Sequence, residues 1–383
     1  MRHSILATLA IVGLLCVLTL PLQACLAVAT IGVPCLLLLR YAGVLCMYQN
    51  SVAKPRLDLS GAIRTQDDLG DSIAHKLLPP FAVRQKAATM PKLLATNGQV
   101  MKIKHAPKTA YKRVEATLDD DTFNCEEAGI EVPLSAEDYV VLGQDGAEQV
   151  ATETGKGIVL SAREAALADI LTGAAGETLL AGQITQPDSA ENWGESGGKP
   201  IDDIAEADSN LTLRVGAGLR WLVISQLDFE KLQVNEQVRA EYRRIVGQTD
   251  AKATDRRMSL QALAGVLGVD EILVGSRRKD TANPGQTASW SYIWPEHYAL
   301  LVRGVVNPSD LTEPAFGRTF IWDEANASLN GSAVIAEDAE QAMTVESYRD
   351  ENINSDIIRV REYTDLKILN LKACEMIKLP PND

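Results

Sequence analysis

Cysteine is scarce and unevenly placed. Six Cys occur in 383 residues, too few for a fold stapled by disulfides. Four of them (Cys16, Cys25, Cys35, Cys46) share one apolar stretch, leaving Cys125 and Cys374 for the rest of the chain. No CxxC pair exists and the four His are scattered, which argues against a structural zinc site. Basic charge is in deficit too: 37 Lys and Arg face 51 Asp and Glu, a formal net charge of -14. A dedicated nucleic-acid reader normally shows a basic footprint, so that class is disfavoured. No Gly-rich dinucleotide fingerprint is present. What is there is globular: 46% hydrophobic and 23% charged residues exclude wholesale disorder. The length allows two or three domains of ordinary size.

These averages conceal three unlike zones. Residues 1–46 contain only Arg2 and Arg40 as charged residues, and none between Ile5 and Leu39. Such a run exceeds the roughly 20 residues that cross a bilayer, though Pro21 and Pro34 would interrupt a single helix. It reads as a signal peptide with a membrane span, or as a short helical hairpin. Leu22-Gln23-Ala24-Cys25 loosely matches a lipoprotein cleavage box, but the apolar run continues past Cys25. A third reading is an upstream extension from a misplaced start, since Met47 follows at once and soluble composition begins there. Residues 48–113 are basic: twelve Lys or Arg against Asp58, Asp67, Asp68 and Asp71 give +8, and residues 114–383 then carry -24. A basic arm on an acidic body favours contact between copies; a solvated basic face is the plainer alternative.

Element patterns sharpen this. Gln99 to Lys104 alternates apolar and polar, the period of a half-exposed strand, and Asn97-Gly98 before it is a hairpin-turn signal. Phe81 to Ala95 lacks a closed apolar face. Residues 81–115 therefore read as a long two-stranded flap with too little core of its own. Gly146 to Leu180 reads as one long helix with Val150, Ile158, Ala162, Ala165, Leu167 and Ile170 at helical spacing, bent where Gly155 and Gly157 weaken it. A compact α/β pattern follows Lys199. Pro200 to Val215 is helical, Trp221 to Ser225 a buried strand, and Gln226 to Val238 a short helix. Leu260 to Leu267 is another helix and Glu271 to Gly275 another strand, with further strands at Ser289–Trp294, His297–Val302, Ala342–Tyr348 and Asp356–Tyr363.

Catalytic signals fail on inspection. Gly194-Glu195-Ser196-Gly197-Gly198 matches the nucleophile-elbow pattern, which needs a buried strand before the Ser. Gln186 to Trp193 is no strand, and His297, the only downstream candidate base, sits after Pro295-Glu296 in a turn. A Gly-Ser connector is the better reading. Gly155-Lys156-Gly157 lacks the first Gly and the Ser or Thr of a phosphate loop. Asp119-Asp120-Asp121, Glu126-Glu127 and Asp202-Asp203 read as solvated loops or helix starts without metal-ligand order. Sequons at Asn210, Asn326 and Asn330 are no more than chance supplies. No catalytic, cofactor-binding or metal-binding residue is assigned, and no enzyme is expected.

Several stretches, in order, carry a likeness. They are Phe123 to Ser135, the Ala-rich helix after it, Gly218 to Ser225 with Tyr242-Arg243-Arg244-Ile245 behind it, Leu263 to Gly275, Phe316 to Trp322, Glu346 to Asp350 and Asp356 to Val360. From about Phe81 to Lys378 the chain resembles the major capsid proteins of tailed bacteriophages with the Hong Kong 97-like fold. That resemblance implies an α+β architecture: an N-terminal arm (47–80), an extended β-hairpin loop (81–117), a peripheral domain with a long spine helix (118–199), a central α/β axial domain (200–332) and closing strands (333–383). It implies a protein that self-assembles into an icosahedral shell around double-stranded phage DNA. Partners would be copies of itself in hexamers and pentamers, a portal, a scaffold and a maturation protease, with non-specific contact to packaged DNA, no cofactor, and no membrane in the assembled state. The place would be the virion, and the host cytoplasm during assembly. The family has no membrane-spanning N-terminus, which favours the misplaced start. Cross-linking in some members needs a loop Lys, an Asn and an acid. Lys92, Lys102 and Lys104 are present, but no Asn or acid partner is placed, so no cross-link is assigned. An encapsulin-type compartment, a membrane-anchored or secreted protein, and a Ser hydrolase at Ser196 are the alternatives.

Overall fold

The computed structural model describes residues 72–93 and 118–380, apart from 188–191, 196, 247–257, 284, 309, 312, 314 and 323–342, together with Lys54, Pro55, Leu59 and Lys104. The apolar segment 1–46, most of the arm, the Asn97-Gly98 turn, the strand after it except Lys104, and Ser196 lie outside the described residues. In chain order the strands are β1 (Lys54–Pro55), β2 (Pro80–Val83), β3 (Ala87–Leu93), β4 (Leu118–Asn124), β5 (Glu126–Leu134), β6 (Ile184–Thr185), β7 (Arg220–Ser225) and β8 (Glu271–Gly275). There follow β9 (Arg278–Asp280), β10 (Trp290–Tyr292), β11 (Tyr298–Arg303), β12 (Gly317–Trp322), β13 (Thr344–Asp350), β14 (Ser355–Ile368) and β15 (Cys374–Lys378).

Two units are distinguished. In the first, residues 1–54 with Ser347–Asp356, the described part is Lys54 and the turn from β13 to β14, where Arg349 pairs with Asp356 at 3.1 Å and Glu351 at 3.2 Å. The second, residues 55–346 and 357–383, is built on two sheets. The central one has the order β6-β15-β11-β7-β8, with β11 antiparallel to both neighbours and the outer pairs parallel. Residues alternate across β7 as the pleat requires. Leu222 and Ile224 meet Ile204, Ala207 and Leu211 of the helix Pro200–Val215 and Leu263 and Leu267 of the helix Leu260–Leu267. Val223 meets Leu167, Leu171, Leu300 and Val302 on the other face. Burial on both faces explains why Trp221 to Ile224 is an unbroken apolar run.

Local chemistry sets the helix ends. Pro200 occupies the first turn with Asp202 and Asp203, where a missing N–H costs nothing and acids complement the dipole. Ser259 accepts the N–H of Ala262, and Gly268 at φ 72° stops the helix in the left-handed region.

In the second sheet β13, β14, β12 and β2 are successive neighbours, and β5 also pairs with β14. The long helix Gln144–Leu171 serves both sheets. Its first half packs Ala147, Ala151, Val159 and Leu160 against Leu134, Val345, Ile358 and Val360. Its last turns enter the central core through Leu167 and Leu171. Its 28 residues span about 42 Å at about 1.5 Å each, enough to reach both.

Several expectations need correction. The helix expected over Gly146 to Leu180 ends at Leu171, because Thr172 is extended and Gly173 takes φ +64°, and a separate helix Gly173–Leu179 follows. Helical structure runs unbroken through Gly155 and Gly157. The expected helix Gln226 to Val238 is two, Gln226–Val234 and Glu236–Val246. Asn235 interrupts them: its side chain donates to the carbonyls of Trp193 and Gly198 and accepts from the N–H of Gln237 and Val238. Asp119 to Asp121 and Glu126-Glu127 lie in β4 and β5, not in loops.

Candidate subunit-contact surface

The flap has a well-rooted base. β3 pairs antiparallel with β4 from Ala87↔Asn124 out to Leu93↔Leu118. Phe81 to Val83 belongs instead to the body, as a parallel partner of β12. At the root Phe123 stacks on Phe320 with centroids 4.8 Å apart, and Phe81 meets the same ring edge-on at 5.8 Å, geometries that aromatic quadrupoles favour. The N–H of Asn124 donates to Asp365 Oδ2 at 2.9 Å, and Lys367 Nζ donates to the Thr122 carbonyl at 2.8 Å. Cys125 is buried here, and desolvation, aided by Asp365, pushes its thiol up to about 11. It is therefore a packing residue and not a nucleophile.

Beside this root lies a groove of about 1200 Å³, bounded by the flap base, β5, β14 and the long helix. Its apolar lining includes Ile158, Ala162, Ala166 and Ile170, and its acids include Glu126, Glu127 and Asp365. Arg163 and Glu362 also line it, joined by two hydrogen bonds, the Nε–Oε1 one at 3.2 Å, with both side chains buried. The exposed apolar residues are not random. Val150, Thr154, Ile158, Ala162, Ala166 and Ile170 recur every fourth position and are all exposed, so they form one ridge along the helix. Val150 and Ile158 are 48% and 44% exposed, and the preceding helix Ala136–Leu142 leaves Val140 at 86% and Val141 at 80%.

Of the residues read at helical spacing, Val150, Ile158, Ala162 and Ile170 are on the open side, while Ala147, Ala151, Val159, Leu160, Leu167, Ala168 and Leu171 do the packing. The helix carries two apolar stripes. The contiguous open row at spacing four was the available signal that one of them serves a second contact.

The polar face of β14 is satisfied internally. Arg359 bonds Glu131 at 2.6 Å, and Arg361 bonds Glu346 and reaches Glu127 at 3.4 Å. Those acids come from β5 and β13, so the mixed charge of the closing strand is a cross-strand lattice.

Ser196 itself lies outside the described residues. Around Ser196, Gly194, Glu195 and Gly197 are turns. The loop is pinned by the buried Trp193, whose Nε1 donates to Asp203 Oδ2 at 2.8 Å. His297, at φ 73°, places Nδ1 at 3.2 Å from Asn192 Nδ2 and donates its main-chain N–H to Asp228 Oδ2. Lys156 is buried within the long helix and not in a loop. Among the described residues no group of three His, Cys, Asp or Glu gathers as metal ligands, and no helix is long and apolar enough to cross a membrane. The described surface thus carries an open apolar ridge, a groove with acids in its lining and the paired strands β3 and β4.

No protein-family model and no curated protein matches the sequence. Solved structures do match. A phage-related protein from Bordetella bronchiseptica RB50 aligns with 86% of this chain and all of its own, at 19% identity and a TM-score of 0.60. The mature capsid subunit of bacteriophage PhiM1 aligns with 83% of this chain and 90% of its own, at 10% identity and a TM-score of 0.50. At such identities the likeness is one of fold, and the fold of this chain is that of the phage major capsid proteins of the Hong Kong 97 type.

Proposed function

We propose that the chain is a structural subunit that assembles with copies of itself into an icosahedral shell enclosing double-stranded phage DNA. The observation that carries this is the open apolar ridge and groove beside the paired base of the flap, β3 and β4. Exposed apolar surface of this extent marks an interaction site. The occupant we assign is the flap of a neighbouring copy. Residues 94–113 hold Lys102, Lys104, Lys108, Lys112 and Arg113 and no acid, opposite in sign to Glu126, Glu127 and Asp365 on the groove. Repeated around a ring, this heterologous contact closes without a terminal subunit.

On this reading residues 47–80 act as an arm, 81–117 as the extended loop, 118–199 as the peripheral domain, 200–332 as the axial domain, and 333–383 as closing strands of the peripheral domain that return to the axial domain. Hexamers and pentamers are the rings. Portal, scaffold and maturation protease are the partners during assembly in the host cytoplasm, and the virion is the destination. The work is structural and not enzymatic, and an acidic wall leaves packaged duplex free to slide. The test is assembly of the purified chain, full-length and from Met47, followed by sedimentation and negative-stain microscopy. Closed particles of several megadaltons are expected. A monodisperse monomer at high concentration from both versions would refute the reading.

A further inference from the structure

Among the described residues, β9 and β10 form a two-stranded sheet of their own. Three-residue strands alone are marginal in water, yet this ribbon carries Trp290 at 64% exposure. The guanidinium of Arg278 lies 5.7 Å from the Trp290 ring centroid, a cation–π contact that holds the indole in one orientation. Tyr292 is opposite Arg278 in the register and Trp290 opposite Asp280, so Arg278 reaches the indole diagonally. The ribbon's root is fixed: Arg277 Nη1 donates to the Gly157 carbonyl at 3.2 Å and to Ser161 Oγ at 3.1 Å on the long helix. Asp280 Oδ1 accepts the N–H groups of Ala282 and Ser289. Arg278, Lys279 and Asp280 are all exposed, so the strand presents two cations and one carboxylate. Arg277-Arg278-Lys279 is the sole run of three basic residues in a chain of net charge -14.

We infer that this ribbon is a second contact site, separate from the groove, and that it docks on an acidic surface of another copy of this chain. This rests on the self-assembly reading. Exposed Trp and Arg, already positioned by each other, are the residue types that dominate protein interfaces. The complementary surface is the start of the helix Pro200–Val215. Asp202 and Glu206 are exposed there one turn apart, and no base occurs between Pro200 and Leu213. Both patches belong to the part of the chain built on the central sheet. A contact between two different patches of one molecule is the heterologous kind that makes rings. Its sign is favourable against residues 114–383, which carry -24.

The experiment measures particle yield by sedimentation for the full chain and for five variants. W290A and the pair R278E/K279E should each lower yield at least tenfold, while W290F stays near wild type. The pair D202K/E206K should fall likewise, and combining it with R278E/K279E should restore yield to within a few-fold. Circular dichroism checks that each subunit is folded. Wild-type yield from W290A and R278E/K279E overturns the proposal, as does a combined variant that stays defective. Normal particles that have lost only their nucleic acid overturn it in favour of a nucleic-acid contact. If the wild type forms no particles, the shell reading falls with it; if the wild type assembles and the variants are indifferent, the ribbon alone is refuted.

Discussion

Gly155 and Gly157 lie two residues apart in one helix and obey opposite constraints. A Cβ at Gly155 would sit 2.7 Å from Val360 Cγ2 and 3.6 Å from Ile130 Cγ2, while one at Gly157 meets nothing within 4 Å. Val360 is fully buried and has nowhere to go. Gly155→Ala should therefore destabilise by about 1–3 kcal/mol through overpacking. Gly157→Ala should stabilise by about 0.5–1 kcal/mol, because it removes backbone freedom from the unfolded chain. Urea denaturation of both variants checks the opposite signs. Glu164 is a different kind of strain. It is wholly buried, accepts from Trp294 Nε1 at 2.9 Å, and faces Arg277 at 3.9 Å, with Oε2 unbonded. Desolvation raises its pKa above the usual carboxylate range, against the opposing pull of Ser72, Trp294, Arg277 and the Ile73 N–H. A raised folded-state pKa gives stability that is present below the unfolded value and is lost as pH rises through the folded one. Thermal unfolding at pH 5 and pH 7.5 should then show Glu164→Gln gaining on wild type at the higher pH. A constant difference between the two proteins at both pH values would refute this.

At the scale of elements, the long helix is the one to test. Its buried stripe holds two cores together and its open stripe holds none. Ile158→Glu with Ile170→Glu should leave urea stability within about 0.5 kcal/mol, as surface changes do, yet abolish particles in the sedimentation assay. Arg163→Ala should do the reverse and unfold the subunit. It strands the buried Glu362 carboxylate, which costs about 3–5 kcal/mol when a buried pair loses one partner. The periodicity of this helix was legible in the sequence, but its facing was not. Both stripes are apolar, and burial is decided by where β5 and β14 lie. The helix break at Thr172–Gly173 escaped notice because the Ala-rich filling continues across it.

At the scale of the whole molecule, charge separation is the governing feature. Residues 48–113 carry +8 and residues 114–383 carry -24. If opposite charges draw copies together, assembly should slow as salt is raised from about 50 to 500 mM, because screening shortens to a few ångströms. Light scattering against ionic strength measures this, and salt-independent rates would remove the electrostatic account while leaving the apolar one.

The sequence alone determined the kind of molecule: strands such as Trp221 to Ser225, the helices that begin at Pro200 and Leu260, and a basic arm on an acidic body. Those follow from local periodicity, capping chemistry and composition, which need no neighbour to be read. Only the tertiary structure decided which helix stripe stays open, why Gly155 has no side chain, and that Arg359 and Arg361 are answered by Glu131 and Glu346. Each of these depends on residues brought together from far along the chain, and no local pattern encodes which distant partner arrives.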